Sequence, residues 1–93
     1  MPMTPVAKMP VEIYTKPNCP YCERAKELLR IKGSPFTEYV ISGDTAYGEE
    51  MRRRGGGGEF PCIFIAGRLI GGCSELFALD ERGALDPLLT PSP

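Results

Sequence analysis

Val11-Glu12-Ile13-Tyr14-Thr15-Lys16-Pro17-Asn18-Cys19-Pro20-Tyr21-Cys22-Glu23-Arg24-Ala25-Lys26-Glu27-Leu28-Leu29 decides the fold. The apolar run Val11–Thr15 predicts a strand. Ala25, Leu28, Leu29 and Lys32 recur at helical spacing, and Gly33 closes the pattern, so a helix is expected over Pro20–Lys32. Cys19 and Cys22 sit at the junction. Positions i and i+3 of a helix lie on one face about 5 Å apart at Cα. That is within the roughly 4.4–6.8 Å that a disulfide tolerates. The two sulfurs can therefore be dithiol or disulfide with little backbone movement. Pro20 suits the first helical position, where a missing N–H is no loss and φ is already helical. Cys19 is then left at the helix mouth, facing unpaired N–H groups and the positive end of the dipole. A thiolate is stabilised there, and its pKa is expected below the free value of about 8.5. Lys16 adds positive charge nearby, and Cys22, one step into the helix, is expected to be less exposed.

The chain has 93 residues, enough for one small domain with a modest core. It is 42% hydrophobic and 25% charged, as an ordinary globular protein is. A net charge of −1 argues against a general nucleic-acid binder. No apolar run approaches the roughly 20 residues that span a bilayer. Residues 1–9 read as a disordered arm, residues 10–90 as the folded domain and 91–93 as a flexible tail. The first ten residues hold three prolines and no apolar core of a signal peptide, so the reducing cytoplasm is the expected compartment. A cysteine pair there is catalytic or metal-binding more often than structural. The chain has no histidine, which excludes Cys-His nucleophilic catalysis and Cys2His2 zinc fingers. Activation of Cys19 has to come from charge and helix position.

Downstream, Phe36–Ile41 predicts a second strand, and Asp44 an N-cap for a helix running to about Arg54. Gly55-Gly56-Gly57-Gly58 follows. It ends a helix instead of opening one and lacks a following Lys-Ser/Thr, so it reads as a loop and not as a phosphate cradle. Cys62–Ala66 and Leu69–Ile70 read as hairpin strands joined by Gly67-Arg68. Ser74 is the expected N-cap of a third helix with Leu76, Phe77 and Leu79 on its apolar face. Leu85–Leu89 reads as a short last helix. Leu28, Leu29, Leu76, Phe77 and Leu79 are assigned to the core. The order is β-α-β-α-β-β-α, an α/β domain with no internal repeat.

Together these motifs resemble the glutaredoxin family, a branch of the thioredoxin fold, over about Val11 to Leu89. The resemblance is carried by Val11-Glu12-Ile13-Tyr14-Thr15-Lys16, Cys19-Pro20-Tyr21-Cys22, Arg24-Ala25-Lys26, Glu49-Glu50-Met51, Pro61 with Ile63-Phe64-Ile65, Ile70-Gly71-Gly72-Cys73, Ala78-Leu79-Asp80 and Leu85-Asp86-Pro87-Leu88-Leu89, and is strongest toward the short bacterial dithiol members. It implies a central four-stranded mixed sheet flanked by helices and a monomeric thiol–disulfide oxidoreductase using glutathione as co-substrate, with no metal. Cys19 would attack the glutathione sulfur of a protein–glutathione mixed disulfide. A second glutathione, itself recycled by glutathione reductase, would release the enzyme. In the dithiol route, Cys19 would attack a protein disulfide and Cys22 resolve the intermediate. Lys16 and Tyr21 match residues flanking the glutathione groove. Pro61 matches the family's cis-proline, with the Phe60 backbone pairing with the cysteinyl unit. Gly72, Cys73 and Ser74 match the segment at the γ-glutamyl end, and Glu75 stands where an aspartate is common, facing the γ-glutamyl ammonium.

The chain departs from the family where Thr-Val-Pro-Gln is usual and Glu59-Phe60-Pro61-Cys62 stands instead. Phe60 adds bulk that would block the groove or extend its apolar floor. Glu59 brings a negative charge toward a ligand with two carboxylates, which Arg52-Arg53-Arg54 would offset if one reached back. Otherwise that triplet reads as a solvated helix end. Two alternatives to the glutathione reading remain: a thioredoxin-like disulfide reductase that does not use glutathione, and an iron–sulfur carrier. Clusters in this family accompany a small residue after the first cysteine, and Pro20 argues against one. A zinc site at Cys19 and Cys22 would need two more ligands, and Cys62 and Cys73 form no second C-x-x-C. Those two read as small buried hydrophobes, with a regulatory thiol as the alternative.

Overall fold

The structure is a computed structural model that describes residues 9–43 and 46–90. Its elements in chain order are β1 (Val11–Thr15), α1 (Pro20–Ile31), β2 (Thr37–Val40), α2 (Ala46–Arg53), β3 (Cys62–Ile65), β4 (Arg68–Gly71), α3 (Cys73–Glu81) and α4 (Leu85–Leu89). The four strands form one sheet in the order β2-β1-β3-β4. β1 pairs parallel with β2, joined through α1, and antiparallel with β3; β3 pairs antiparallel with β4. This is the mixed sheet expected of the thioredoxin fold.

Alternation along the strands divides the core. Val11 and Ile13 of β1 and Ile63 and Ile65 of β3 face one side, packed with Ala25, Leu28 and Leu29 of α1, Leu76 of α3 and Leu85 and Leu89 of α4. Tyr14, Cys62 and Phe64 face the other side, against Met51 of α2. Each fully buried Leu or Ile contributes about 1.5–3 kcal/mol. Burial on both faces makes β1 and β3 the rigid centre from which the Cys19 loop and Pro61 project. Met9, assigned to the N-terminal arm from sequence, packs against the first cluster, and its amide donates to the Leu89 carbonyl at 3.0 Å. The rest of that arm, the tail and the Asp44 cap lie outside the described residues.

Three local expectations are corrected. The hairpin turn is Ala66-Gly67, and Arg68 already belongs to β4. Ala66 and Gly67 have φ of 52° and 79°, the paired left-handed conformation that matches the twist of a two-residue hairpin. Alanine is an uncommon residue there, so the sequence points one position too late. The N-cap of α3 is Gly72, not Ser74. Gly71, at φ 122°, turns the chain out of β4, and the Gly72 N–H is then satisfied by Glu75 Oε1 at 2.8 Å. Ser74 is left exposed inside the first turn. Phe77 is 37% exposed and lines a surface depression with Leu28 and Ile31. Leu76 and Phe77 point about 100° apart on a helix, so both cannot face the same core. Leu76 takes that place, and Leu79 packs against the core only partly buried.

Candidate active site

Thr15 ends β1, and Lys16-Pro17-Asn18 carries the chain to the mouth of α1. Cys19 is the N-cap, with extended φ −117° and ψ 100°, and Pro20 opens the helix. The Cys22 amide points at Cys19 Sγ at 3.2 Å, so the sulfur occupies the place a capping oxygen normally takes. An N–H donor and the helix dipole stabilise negative charge on that sulfur. Cys19 and Cys22 are joined as a disulfide with Cα atoms 5.2 Å apart. Cys19 is 7% exposed and Cys22 only 1%, which makes Cys19 the sulfur a substrate reaches.

Asn18 holds a left-handed φ of 57°, which asparagine tolerates better than most residues. Asn18→Gly is expected to leave stability unchanged or raise it, whereas Asn18→Val is expected to lower it by about 1–2 kcal/mol. Urea denaturation of the two variants checks this.

Beneath the loop, α1 is tied to β2. Lys26, 9% exposed, pairs with Glu23 at 2.9 Å and with Glu38 at 3.0 Å, and the Thr15 hydroxyl donates to Glu38 at 2.7 Å. The Glu23 and Glu38 carboxylates hold the Lys26 ammonium charged against its burial. Burial works against the Glu38 carboxylate, but Thr15 and Lys26 outweigh it and lower its pKa. The network fixes the end of β1 against the second turn of α1, on either side of Cys19.

The Phe60–Pro61 peptide is cis, and the Phe60 carbonyl oxygen lies 4.0 Å from Cys19 Sγ. The Phe60 ring does not enter the cleft beside Pro61. It is half-buried against the cluster of Tyr14, Met51, Cys62 and Phe64, and Lys16 Nζ stands 5.7 Å from its centroid. The second core therefore absorbs its bulk. On the other side of Pro61 a cleft of about 240 Å³ is lined by the glycine loop, Glu59, Cys62, Gly72 and Glu75. A Cβ at Gly72 would stand 3.4 Å from the Pro61 carbonyl oxygen, which shows how closely the start of α3 approaches.

Of the residues singled out from sequence, Cys19, Cys22, Phe60 and Pro61 converge directly. Lys16 and Tyr21 flank them, Tyr21 being 60% exposed. Gly72 and Glu75 line the cleft, and Ser74 stands exposed beside them. Cys73 instead packs its side chain against the first core. Burial pushes the Cys62 thiol up, with Arg54 partly opposing. Burial likewise raises Cys73. Both shifts favour the thiol over the thiolate, Cys62 lying in the second core and Cys73 partly buried against the first.

Sequence reasoning missed Arg54. Its guanidinium donates to Glu12 at 2.7 and 3.2 Å and to the Tyr14 hydroxyl at 2.8 Å, and lies 4.0 Å above the Phe64 ring. It is therefore not available to offset Glu59. Nothing distinguishes it in sequence from Arg52 and Arg53. Glu12, a half-buried acid in the central strand β1, was the one signal that a cation had to approach.

A strand, a C-x-x-C helix mouth and a cis-proline facing it form the redox frame of the thioredoxin fold, and within it a family model described as Glutaredoxin matches residues 11–70. The chain belongs to the glutaredoxin family. It is 58% identical over 79 residues to Glutaredoxin 3 of Escherichia coli (strain K12), spanning 85% of this chain and 95% of that one. Its fold is similar to the solution structure of glutaredoxin from Brucella melitensis, with TM-score 0.76, 46% identity and 92% and 94% of the two chains covered. It is also similar to the crystal structure of a buckwheat glutaredoxin–glutathione complex, with TM-score 0.77, 27% identity and 87% and 76% covered. As a glutaredoxin, the protein is a thiol–disulfide oxidoreductase. Among its described residues no helix is long and apolar enough to cross a membrane.

Proposed function

We propose that this glutaredoxin reduces protein–glutathione mixed disulfides and protein disulfides at the expense of glutathione in a reducing cytoplasm, acting as a monomer. The observation that carries the proposal is the position of Cys19 Sγ, capped by the Cys22 amide and facing the Phe60 carbonyl beside the cis Pro61. The Cys19 thiolate attacks the glutathione sulfur of a mixed disulfide, and the protein thiolate leaves and takes a proton from solvent. A second glutathione thiolate then attacks the Cys19-bound glutathione. This frees Cys19 and yields oxidised glutathione, which glutathione reductase returns to the thiol. For a protein disulfide, Cys19 forms the mixed disulfide and the Cys22 thiolate displaces the substrate. Cys22 is the more deeply buried sulfur and reaches only a partner already bound to Cys19.

In this proposal the glutathione backbone pairs with Phe60 beside Pro61. The Lys16 ammonium meets one carboxylate, and the Tyr21 ring walls the groove. The start of α3, at Gly72, Cys73 and Ser74, receives the γ-glutamyl carboxylate, where a helix N-terminus favours an anion. One Glu75 oxygen caps Gly72 and the other is left for the γ-glutamyl ammonium. The solved glutaredoxin–glutathione complex of the same fold supports a groove of this kind.

The test follows NADPH loss with glutathione, glutathione reductase and a glutathionylated peptide. Cys22→Ser is expected to keep deglutathionylation within about threefold of wild type and to lose protein-disulfide reduction, because thiolate attack on glutathione sulfur needs only Cys19. Wild-type protein that reduces disulfides with dithiothreitol but shows no turnover with glutathione would move the assignment to a glutathione-independent reductase.

A further inference from the structure

We propose that Glu59 selects substrates by charge, so that disulfide-bearing polypeptides with a lysine or arginine close to the reactive cysteine react faster than acidic ones. The proposal rests on Cys19 as the attacking thiol and does not depend on the use of glutathione. Glu59 immediately precedes Phe60, whose carbonyl oxygen stands 4.0 Å from Cys19 Sγ. Its side chain is exposed on the wall of the Pro61 cleft, and the lining of that cleft includes no lysine or arginine. None of the three arginines closest in sequence lines the cleft, and Arg53 is exposed as the last residue of α2. Arg54 is bound to Glu12 and Tyr14, and Arg52 lines a separate depression with Ile41, Met51 and Phe60. Among the described residues no cation pairs with Glu59. Glu75, the other acid of the cleft, accepts from the Gly72 amide at 2.8 Å through one oxygen and keeps its charge, so Glu59 adds to an acidic wall and is the acid there with no hydrogen-bond partner among the described residues. Lys16 stands over the Phe60 ring and does not line the cleft.

A substrate cysteine has to approach Cys19 Sγ within bonding distance, so residues beside it come close to the Glu59–Phe60–Pro61 segment, whose Phe60 carbonyl stands 4.0 Å from that sulfur. A cation there gains an attraction, and an anion meets repulsion, of the size typical for exposed charge pairs. Each changes the rate by about two- to fivefold. The same charge lies on the path of glutathione's carboxylates, so it shifts preference from small anionic disulfides toward basic polypeptides.

The experiment uses pre-reduced protein in excess over peptides closed by an intramolecular disulfide and identical except for Arg, Gln or Glu next to one cysteine. Two electrons and two protons pass from the Cys19–Cys22 dithiol to the peptide. The enzyme becomes the disulfide and both peptide sulfurs leave as thiols, so no other reductant is needed. Rates are read by acid quench, alkylation and mass. At low salt the Arg peptide is expected to react about five- to tenfold faster than the Glu peptide. Glu59→Gln and Glu59→Thr are each expected to cut that ratio at least threefold while the Gln peptide keeps its rate, and 1 M salt is expected to collapse the ratio. Glu49→Gln on the exposed face of α2 removes the same net charge and is expected to leave the ratio unchanged. A wild-type ratio of one, a ratio untouched in both Glu59 variants, or an equal loss in Glu49→Gln overturns the proposal. Failure of glutathione turnover would leave these ratios standing and would bear only on the co-substrate.

Discussion

Replacing Cys19 by serine is expected to abolish thiol–disulfide exchange, by on the order of 10³-fold or more, while the fold survives. A serine hydroxyl does not ionise near neutral pH and is a poor nucleophile toward sulfur, so neither the mixed-disulfide step nor the dithiol step can begin. The Cys22 amide that stabilises the Cys19 thiolate would merely bond the serine oxygen, which is a good N-cap, so α1 is expected to form as before. No other sulfur replaces the lost one. Cys22 is 1% exposed behind Cys19, and burial shifts Cys62 and Cys73 toward the thiol form. The check is a set of single-turnover assays on glutathionylated and disulfide substrates, with circular dichroism for the fold. Exchange persisting in a folded Cys19→Ser protein would transfer the nucleophile to another cysteine. Trapping the mixed disulfide in Cys22→Ser and mapping its position by mass would then identify which one.

The frame of this site was legible because each part has a local cause. Cys19-Pro20-Tyr21-Cys22 places a sulfur at a helix mouth through proline's φ and a three-residue spacing, and neither depends on distant contacts. The strands were legible because apolar runs with turn residues between them leave few alternatives. What the sequence withheld depends on long-range partners. Phe60 looked like an intrusion into the groove, but its ring joins Tyr14 and Phe64, residues 46 and 4 positions away, once β1 and β3 pair. Arg54 looked like one of three solvated cations. Only the sheet register brings Glu12 and Phe64 opposite each other and builds the place it fills. Ser74 was a reasonable cap by residue type, but the glycine at Gly71 let the chain turn earlier and handed capping to Glu75. Residue chemistry was thus readable position by position, whereas choices between equivalent residues were settled by packing.

Arg54→Ala is the substitution outside the reacting pair with the largest expected effect, and it acts on stability. Arg54 closes α2 and, through Gly55, starts the loop that leads to Pro61. Its guanidinium pins that point to β1 through Glu12 and Tyr14 and to β3 through Phe64. Removing it leaves Glu12, about a quarter exposed, without its cation and uncovers one face of Phe64. Breaking a fully buried pair costs about 3–5 kcal/mol, and partial exposure reduces this to about 2–3 kcal/mol. For a domain of this size that lowers Tm by about 8–24 °C. Arg54→Lys keeps the charge but loses the fork that bonds Glu12 and Tyr14 together, so an intermediate loss is expected. The pH dependence separates the ion pair from simple packing. The Arg54 hydrogen bond is the main cause holding Glu12 below its usual value of 4.5, against burial, which opposes it. A carboxylate with a depressed folded pKa contributes its stability fully above the unfolded value and loses it as pH falls through the folded one. The gap between wild type and Arg54→Ala is therefore expected to be widest near neutral pH and to narrow below about pH 4.5. Burial, with the Glu50 hydrogen bond, raises the Tyr14 hydroxyl from 10.0 to about 12, so wild-type stability is also expected to fall across that alkaline interval. Urea titrations of both proteins from pH 3 to 8 measure the acid side. A gap that stays constant throughout would show that Arg54 acts by covering Phe64 and not by holding Glu12.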